Sequence, residues 1–386
     1  MSVSVAGRSV RARPGDVIAL RLWLLSRVAV FALVSAAGWL FADRAARSPV
    51  HYLDRWTQWD TVHYVTIAHW GYGGDPRTGP QVPLEAFFPG FPLTMRAVHE
   101  VLGIGYVAAG LFISLVASGI AIVALARLAA DEAGGGALGD LLAERTVLLF
   151  LLAPSAIFLA AAYTEALFLA FALPAWLAAR RGRWLIAGLC TAGASSVRVT
   201  GLFLAVALVV EFLTARDGRR RWLQAPWLLL GFAPVAAYFA YLHHRTGDWH
   251  AWQHAQERGW YRDFHWPWQA LRITWHNAHG GNQTTDFEWM FRAEILAVAI
   301  GIALLVWLLR HRRWGESTYI ALQLYAFTTG MWFFSVPRAT LLWWPLWTGL
   351  AAWSLRRPAV LQGYLTVFAP FSVVLTLLFC TGRWAG

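Results

Sequence analysis

Residues 55–72 place one carboxylate and two imidazoles among aromatic side chains, in the segment that follows the first long apolar run. Asp54 is a suitable N-cap and Gly71 stands where a helix commonly stops, so the stretch predicts a short helix. One face of that helix holds Trp56, Asp60, His63, Tyr64 and Ile67. A carboxylate on that face, at a membrane–water boundary that suits tryptophan, can accept a proton from a substrate arriving from lipid. The alternative is an interfacial anchor helix whose polar side chains are solvated.

Further side chains able to do chemistry stand at the ends of other apolar runs or in the segments between them. They are Glu85, Tyr163, Glu165, Arg198 and Arg338. Charged side chains at membrane depth are costly and suggest function by default. For each residue alone, the alternative is a buried ion pair or a helix-end side chain that reaches water. Asp286 and Glu288 are further carboxylates that could replace Asp60 as a base.

The composition indicates which elements position these residues. Of 386 residues, 58% are hydrophobic and only 14% are charged, and the mean hydropathy is +0.48. A soluble domain carries roughly 25% charged residues, so the chain is predicted to be an all-α polytopic membrane protein with a single domain over residues 1–386. The net charge is +11 and comes from arginine alone. Because the arginines are dispersed rather than gathered on one face, nucleic acid is excluded as a partner.

Eleven apolar runs predict the membrane helices, although several have only 14–18 residues. The runs are 21–42, 104–127, 144–162, 163–179, 184–197, 199–214, 225–243, 291–309, 316–334, 339–355 and 359–380. They leave two large loops, 43–103 and 244–290, and the first is expected to contain interfacial helices, including one at 93–102. Residues 184–214 are expected to form a tight hairpin with Arg198 near its turn.

The arginine clusters predict the orientation of these helices. With a cytoplasmic N-terminus and an uncleaved first helix, most clusters fall in short inner loops, as the positive-inside rule requires. Both large loops and the C-terminus then lie outside. Asp60, Glu165, Arg198 and Arg338 share that outer face, and so do Asp286 and Glu288. The absence of lysine, with abundant Ala, Gly, Arg and Trp, suggests a bacterial protein from a GC-rich genome.

Five short motifs carry a resemblance to a known family. They are QWDTVHY at 58–64, EAFFP at 85–89, LAPSAIF at 152–158 with YTE at 163–165, RVTG at 198–201 and SVPR at 335–338. In these motifs the chain resembles the second mannosyltransferase of glycosylphosphatidylinositol anchor synthesis, the PIG-V family, and its bacterial homologues. That family lies within the C-type glycosyltransferase (GT-C) superfold. The resemblance implies an enzyme that uses polyprenyl-phosphate-mannose on the outer side of the membrane, with Asp60 as catalytic base.

The chemistry of that reaction assigns roles to the other candidates. Arginine suits a departing phosphate, so Arg338 and Arg198 are the expected phosphate ligands, with His63 as a helper. Arg338 is expected to stay hydrated until substrate arrives. Glu165 binds a sugar hydroxyl or orients an arginine, and the expected substrate-binding set is completed by Trp59, Tyr64, Glu85 and Tyr163. The partners are the lipid-linked donor, a glycolipid or glycan acceptor and membrane lipids.

Two alternatives remain open at this stage. A transporter or flippase would also carry intramembrane Arg and Glu, but transporters often show two matching halves, and no such repeat is visible. Within the enzyme class, the donor could carry another polyprenyl-phosphate-linked sugar. No metal-ligand spacing and no glycine-rich nucleotide loop stands out, so neither a metal nor another cofactor is predicted.

Overall fold

A computed structural model describes residues 14–41, 51–80, 82–215 and 220–385, and this part of the chain contains helices and no strand. The all-α prediction is therefore confirmed for the described residues. The α-helices are α1 (Pro14–Leu40), α2 (Asp60–Trp70), α3 (Gly90–Leu102), α4 (Tyr106–Glu132), α5 (Gly136–Leu151), α6 (Thr164–Arg180), α7 (Trp184–Val197), α8 (Thr200–Thr214), α9 (Ala233–Thr246), α10 (Ala251–Trp260), α11 (Pro267–His279), α12 (Thr285–Arg310), α13 (Trp314–Thr328), α14 (Val336–Ala339), α15 (Trp344–Arg356), α16 (Pro358–Gly363) and α17 (Ala369–Cys380).

Within the described ranges, five helical segments are long and apolar enough to cross a membrane, as expected for a polytopic membrane protein. They are Pro14–Leu40, Tyr106–Glu132, Trp222–Thr246, Thr285–Arg310 and Pro358–Cys380. Most of the other predicted runs form helices of only 13–17 residues, namely α5 to α8, α13 and α15. At about 1.5 Å per residue, such helices fall short of a bilayer's roughly 30 Å core, so the count of eleven spans stays a prediction.

The first large loop departs from its predicted form at one point. Instead of one helix over the whole stretch, the chain makes a 3-10 turn at Tyr52–Trp56 and then α2, which begins only at Asp60. Trp59 interrupts the helix because its φ is +51°, a value that bulky side chains seldom adopt. Trp56 is fully buried and packs against Phe31, so its predicted place on the Asp60 face is wrong.

The helix stop at Gly71 is confirmed: its φ is +73°, which glycine adopts without steric cost. The predicted short helix at 93–102 is also confirmed, because α3 covers it. The α7–α8 hairpin forms as predicted, with an extended Arg198 between the two helices. Gly201 permits this turn, since a Cβ there would lie 2.4 Å from the Ser195 backbone.

The second large loop, 244–290, folds back over the first. It contains α10 and α11 together with the start of α12. The side chains of Trp252 and Gln256, on α10, donate hydrogen bonds of 3.2 and 3.1 Å to the carbonyl oxygen of Ala86. On α11, Thr274 accepts a 2.9 Å hydrogen bond from the backbone N–H of Phe333. The two loops and the 329–335 segment thus meet, and we call this part of the helix bundle the site end.

The opposite end of the bundle consists of the turns that join α4 to α5, α6 to α7 and α12 to α13. Ion pairs bind these turns together, with Arg181 2.7 Å from Asp131 and Arg313 2.5 Å from Glu132. Some of the arginines behind the predicted orientation lie outside the described residues. These arginines are Arg8, Arg11, Arg13, Arg216 and Arg219. Residues 43–50 of the first loop also lie outside the described residues.

Candidate active site

Asp60 is the first residue of α2, at the positive end of the helix dipole. Its Oδ2 accepts a 3.2 Å hydrogen bond from Nη1 of Arg338, which lies 278 residues later in the chain. The Asp60 backbone N–H donates to the Tyr163 hydroxyl at 3.1 Å, and that hydroxyl donates to the Gln58 carbonyl at 3.2 Å. Tyr163 therefore fixes the start of α2 and, with it, the position of the carboxylate.

Arg338 connects Asp60 to two further residues that the sequence singled out. Its Nε lies 3.2 Å from Oε1 of Glu165, and the same oxygen accepts a 2.5 Å hydrogen bond from Nη1 of Arg198. Arg198 also donates to the Thr164 hydroxyl at 2.7 Å. We call the chain of contacts Asp60–Arg338–Glu165–Arg198 the ion network. It brings together four sequence-predicted residues from four separate segments.

The ion network is largely closed to water. The exposed fraction of the side chain is 12% for Arg338, 15% for Asp60 and 0% for Glu165, so the expectation of a hydrated Arg338 is wrong. Burial acts to lower the pKa of Arg338, but the Glu165 and Asp60 carboxylates outweigh it and hold that pKa above its ordinary value. The guanidinium lies 5.2 Å from the Phe158 ring centroid and 5.6 Å from that of Tyr163. Two aromatic rings therefore pack around the charged guanidinium of Arg338.

Glu294, which the sequence did not single out, holds the turn that carries Arg338. Its two carboxylate oxygens accept hydrogen bonds from the backbone N–H groups of Ser335 and Val336, at 2.7 and 2.8 Å. These are the first N–H groups of α14, and Ser335 has a φ of +64°. An acid inside the apolar run 291–309 was the signal that could have identified Glu294.

One family model matches the part of the chain that supplies three members of the ion network. The model of the family described as Mannosyltransferase (PIG-V) matches residues 32–215. Residues 32–215 form a PIG-V-like region. The resemblance noted in the sequence is therefore confirmed there, and the region includes Asp60, Glu165 and Arg198. Arg338 lies outside it.

Curated relatives match over a shorter length of the chain. GPI alpha-1,6-mannosyltransferase 2 of Cricetulus griseus is 34% identical over 151 residues, which are 38% of this chain and 29% of that protein. The Homo sapiens protein of the same name is 34% identical over 156 residues, with the same coverage. GPI mannosyltransferase 2 of Cryptococcus neoformans is 29% identical over 161 residues, which are 39% of this chain and 36% of that protein. The match thus spans about a third of these relatives, all of them eukaryotic.

The PIG-V-like region also positions His63 and Tyr64, one turn along α2 from Asp60. The His63 ring lies 5.3 Å from Phe87, and Tyr64 is buried against Phe87, Phe91 and Tyr163. Burial lowers the pKa of His63, and the nearby Asp60 carboxylate opposes that shift. At neutral pH His63 is therefore uncharged and can offer a substrate one N–H but no positive charge.

Two predicted substrate-binding residues of the PIG-V-like region lie outside the ion network. The Glu85 carboxylate is 4.0 Å from Nε of Arg245. The Trp59 indole donates to the carbonyl oxygen of Arg383 at 3.3 Å and packs edge-on against Trp384. Trp59 is still next to Asp60 in the chain, and 39% of it is exposed.

The alternative bases lie on α12, outside both the PIG-V-like region and the ion network. Asp286 accepts a 2.5 Å hydrogen bond from the Thr284 hydroxyl, and Glu288 lies 3.4 Å from Arg292. Among the described residues, no group of three or more His, Cys, Asp or Glu side chains could hold a metal ion. The expectation that no metal is needed stays a prediction.

Sequence reasoning also missed Arg262, which follows α10. The positive charges of Arg338 and Arg198 both act on its guanidinium. Nothing in the sequence singled it out, because it lies in a polar loop with several other charged residues. It joins the neighbourhood of the ion network only through the packing of the second loop over the first.

Proposed function

We propose that this chain is a membrane mannosyltransferase that moves mannose from a polyprenyl-phosphate-mannose donor to a hydroxyl group of a lipid-linked or other glycan acceptor. The observation that carries the proposal is the contact between Asp60 and Arg338, beside Glu165 and Arg198, at the site end. A candidate base and candidate phosphate ligands therefore lie within one hydrogen bond of each other. The family of the PIG-V-like region supports mannose as the sugar.

In the proposed reaction, Asp60 accepts the proton of the acceptor hydroxyl while the oxygen of that hydroxyl attacks C1 of the mannose. The bond from C1 to the phosphate oxygen breaks, and its electron pair leaves with the polyprenyl phosphate. Arg338 and Arg198 stabilise the charge of that leaving group. When the phosphate contacts Arg338, it competes with Asp60 for the same guanidinium. The carboxylate then loses its cationic partner and becomes a stronger base.

Direct attack inverts the anomeric centre, so a β-linked donor gives an α-linked product. The names of the mammalian relatives state an alpha-1,6 linkage for those proteins, which agrees with this outcome. In the proposed site, Glu165 orients both arginines, and Tyr163 positions Asp60. Tyr64, His63, Trp59 and Glu85 contact the sugars from the first loop. No cofactor takes part in the proposed reaction.

We place the site end on the outer face of the membrane and the N-terminus in the cytoplasm. Arg181, Arg313 and other arginines at the opposite end support this orientation through the positive-inside rule. A variant without the native cysteines and with Arg77→Cys should react with an impermeant thiol reagent on intact cells. The same variant with Leu138→Cys, at an exposed position of the opposite end, should stay unlabelled. The reverse pattern would overturn the orientation.

The function is tested with purified protein in lipid nanodiscs, radiolabelled polyprenyl-phosphate-mannose and total membrane lipid as the acceptor source. Wild-type protein should transfer label to lipid. Asp60→Asn keeps the size of the side chain but removes its basicity, so transfer should fall by about 10²–10⁴-fold while donor binding persists. Glu144→Gln is the control, because it removes an exposed carboxylate of α5 that lies outside the ion network.

Two results would overturn the assignment. Near-normal turnover by Asp60→Asn would exclude Asp60 as the base and direct attention to Glu165, Asp286 or Glu288. Wild-type transfer from polyprenyl-phosphate-glucose but not from the mannose donor would change the sugar while leaving the reaction class intact.

A further inference from the structure

Residues 261–265 join α10 to α11 and lie against the segment that leads to Arg338. The Met331 N–H donates to the Tyr261 carbonyl at 3.3 Å, and the His265 N–H donates to the Thr329 carbonyl at 2.8 Å. Arg262 stands between these two hydrogen bonds. A Cβ on Gly330 would lie 3.9 Å from the Cα of Arg262 and 4.0 Å from its Cγ. The backbone of Arg262 is therefore fixed beside the site end.

The local conformation also sets the direction of Arg262. Tyr261 has a φ of +53°, which ends α10 and turns the chain abruptly before Arg262. The Arg262 guanidinium then lies 5.8 Å from the centroid of the Phe327 ring, at the end of α13. Burial, together with the charges of Arg338 and Arg198, lowers the pKa of Arg262 to about 10, and Asp60 and Glu294 act in the opposite direction. Arg262 is still protonated at neutral pH.

Arg262 differs from the two arginines of the ion network in its hydrogen bonding. Arg338 and Arg198 already donate to Asp60, Glu165 and Thr164. Within the described part of the chain, no carboxylate forms an ion pair with Arg262, and no side-chain or backbone oxygen accepts from its guanidinium. Both oxygens of the nearby Glu294 are taken by backbone N–H groups.

This half-buried guanidinium has five N–H donors without an acceptor among the described residues, so they are available to a ligand. Arg338, Arg198, Asp60 and Glu294 all act on it, but both carboxylates already accept hydrogen bonds from other groups. A ligand must therefore supply the acceptor, and a phosphate matches the fork of a guanidinium. We propose that Arg262 binds the phosphate of the lipid-linked donor. This inference rests on the proposed function, because that function supplies the lipid-linked phosphate.

Arg262 also resolves a conflict in the ion network. A phosphate that used only Arg338 and Arg198 would have to displace their carboxylates. With Arg262 as a first, unoccupied ligand, the phosphate enters without breaking an existing ion pair. Once the donor is bound, its phosphate contacts Arg338, and the hydrogen bond between Arg338 and Asp60 is lost.

The test measures binding to the full-length protein in nanodiscs with three probes, namely polyprenyl monophosphate, the uncharged polyprenol of equal length and inorganic phosphate. Arg262→Ala should weaken binding of polyprenyl monophosphate by about tenfold or more, as loss of a charge-assisted hydrogen bond does. Binding of polyprenol should not change. Arg262→Lys should recover part of the affinity, because it restores the charge but not the fork.

Arg258→Ala is the matched control. Arg258 is an exposed arginine on α10, four residues before Arg262, so its removal changes the net charge equally. It should bind all three probes like wild type. Thermal unfolding of each variant, measured in the same nanodiscs, checks that the fold is retained.

The inference is overturned if Arg262→Ala binds polyprenyl monophosphate like wild type, or if it loses polyprenol to the same extent. Inorganic phosphate that competes as well as the lipid would assign Arg262 to a free anion and also overturn it. Failure of the proposed function looks different. Wild-type protein would then transfer no mannose, although the loss of phosphate affinity in Arg262→Ala persists.

Discussion

The two ends of the helix bundle handle buried charge in different ways. At the opposite end, the partly buried arginines Arg127 and Arg313 each meet their own carboxylates. Arg127 makes two hydrogen bonds to Asp16, at 3.0 and 2.8 Å, and Arg313 donates to both Glu132 and Glu316. At the site end, one oxygen of Glu165 serves two arginines, while its other oxygen is buried without a hydrogen bond.

This difference separates structural from functional ion pairs. A fully matched pair satisfies its own hydrogen bonds, and removing one partner leaves a buried charge behind. An under-satisfied set, with an unpaired Glu165 oxygen and a free Arg262, is complete only when a ligand supplies the missing partners. Between these two ends, incomplete pairing of the carboxylates and arginines, rather than their presence, distinguishes the candidate site.

The largest effect is expected from Arg338→Lys, at the site end. The positive charge remains between Asp60 and Glu165, but the fork that serves both carboxylates and the phosphate is lost. We expect kcat/KM for the mannose donor to fall by about 10²–10³-fold, with only a small change in thermal stability. Steady-state kinetics and unfolding of the same preparation measure both quantities.

Arg292→Lys provides the control for Arg338→Lys, because Arg292 pairs with Glu288 on α12 and takes no part in the ion network. If Arg338→Lys loses thermal stability to the same extent as activity, Arg338 forms a structural ion pair. The proposed difference between the two ends would then be wrong.

The next effect is expected at the opposite end, from Arg313→Ala. Glu316 is buried, with 2% of its side chain exposed, and it would lose its counter-charge together with Glu132. We expect the free energy of unfolding to fall by about 3–5 kcal/mol, while kcat/KM of the folded protein is unchanged. SDS titration followed by tryptophan fluorescence measures the stability.

Arg310→Ala, at an exposed position one turn away, should change neither quantity. If Arg313→Ala unfolds like wild type but loses transfer activity, the ion pairs of the opposite end contribute to activity rather than to stability, contrary to the proposal.

The smallest effect concerns His63 and pH. Burial lowers the pKa of His63 in the folded protein, so the unfolded chain binds the proton more tightly. The resulting stability is fully present above the unfolded pKa of about 6.5 and is lost as the pH falls below it. His63→Gln should therefore flatten the decrease in thermal stability between about pH 7 and pH 5.

The same change at His276, an exposed histidine of α11, controls for the loss of an imidazole elsewhere. An unaltered pH profile in His63→Gln would show that the neutral state of His63 does not contribute to stability.

Local patterns were sufficient to predict the features that depend on neighbouring residues. The stop at Gly71, the helix α3 and the turn at Arg198 follow from glycine conformation and from the lengths of apolar runs. The motif match also located the PIG-V-like region and its candidate base. In each case, the physical cause lies within about one helical turn of the residue concerned.

Long-range packing could not be predicted from the same patterns. The bond from Asp60 to Arg338 spans 278 residues, and the hydrogen bonds from Ser335 and Val336 to Glu294 span 41 and 42. The left-handed Trp59, which moved Trp56 away from the Asp60 face, is held by contacts with Arg383 and Trp384. Hydropathy also identifies apolar runs, but it does not distinguish a membrane-spanning helix from a shorter helix buried in the bundle.

Three non-glycine residues with positive φ stand just before the proposed functional groups. Trp59 precedes Asp60, Tyr261 precedes Arg262, and Ser335 begins the turn of Arg338. Each sparsely populated conformation costs about 1–3 kcal/mol. Selection of variants for heat resistance alone would therefore favour glycine at all three positions. A protein engineered in that way would gain a more relaxed backbone and lose the side chains that anchor its turns, so heat resistance alone is a poor guide for improving this chain.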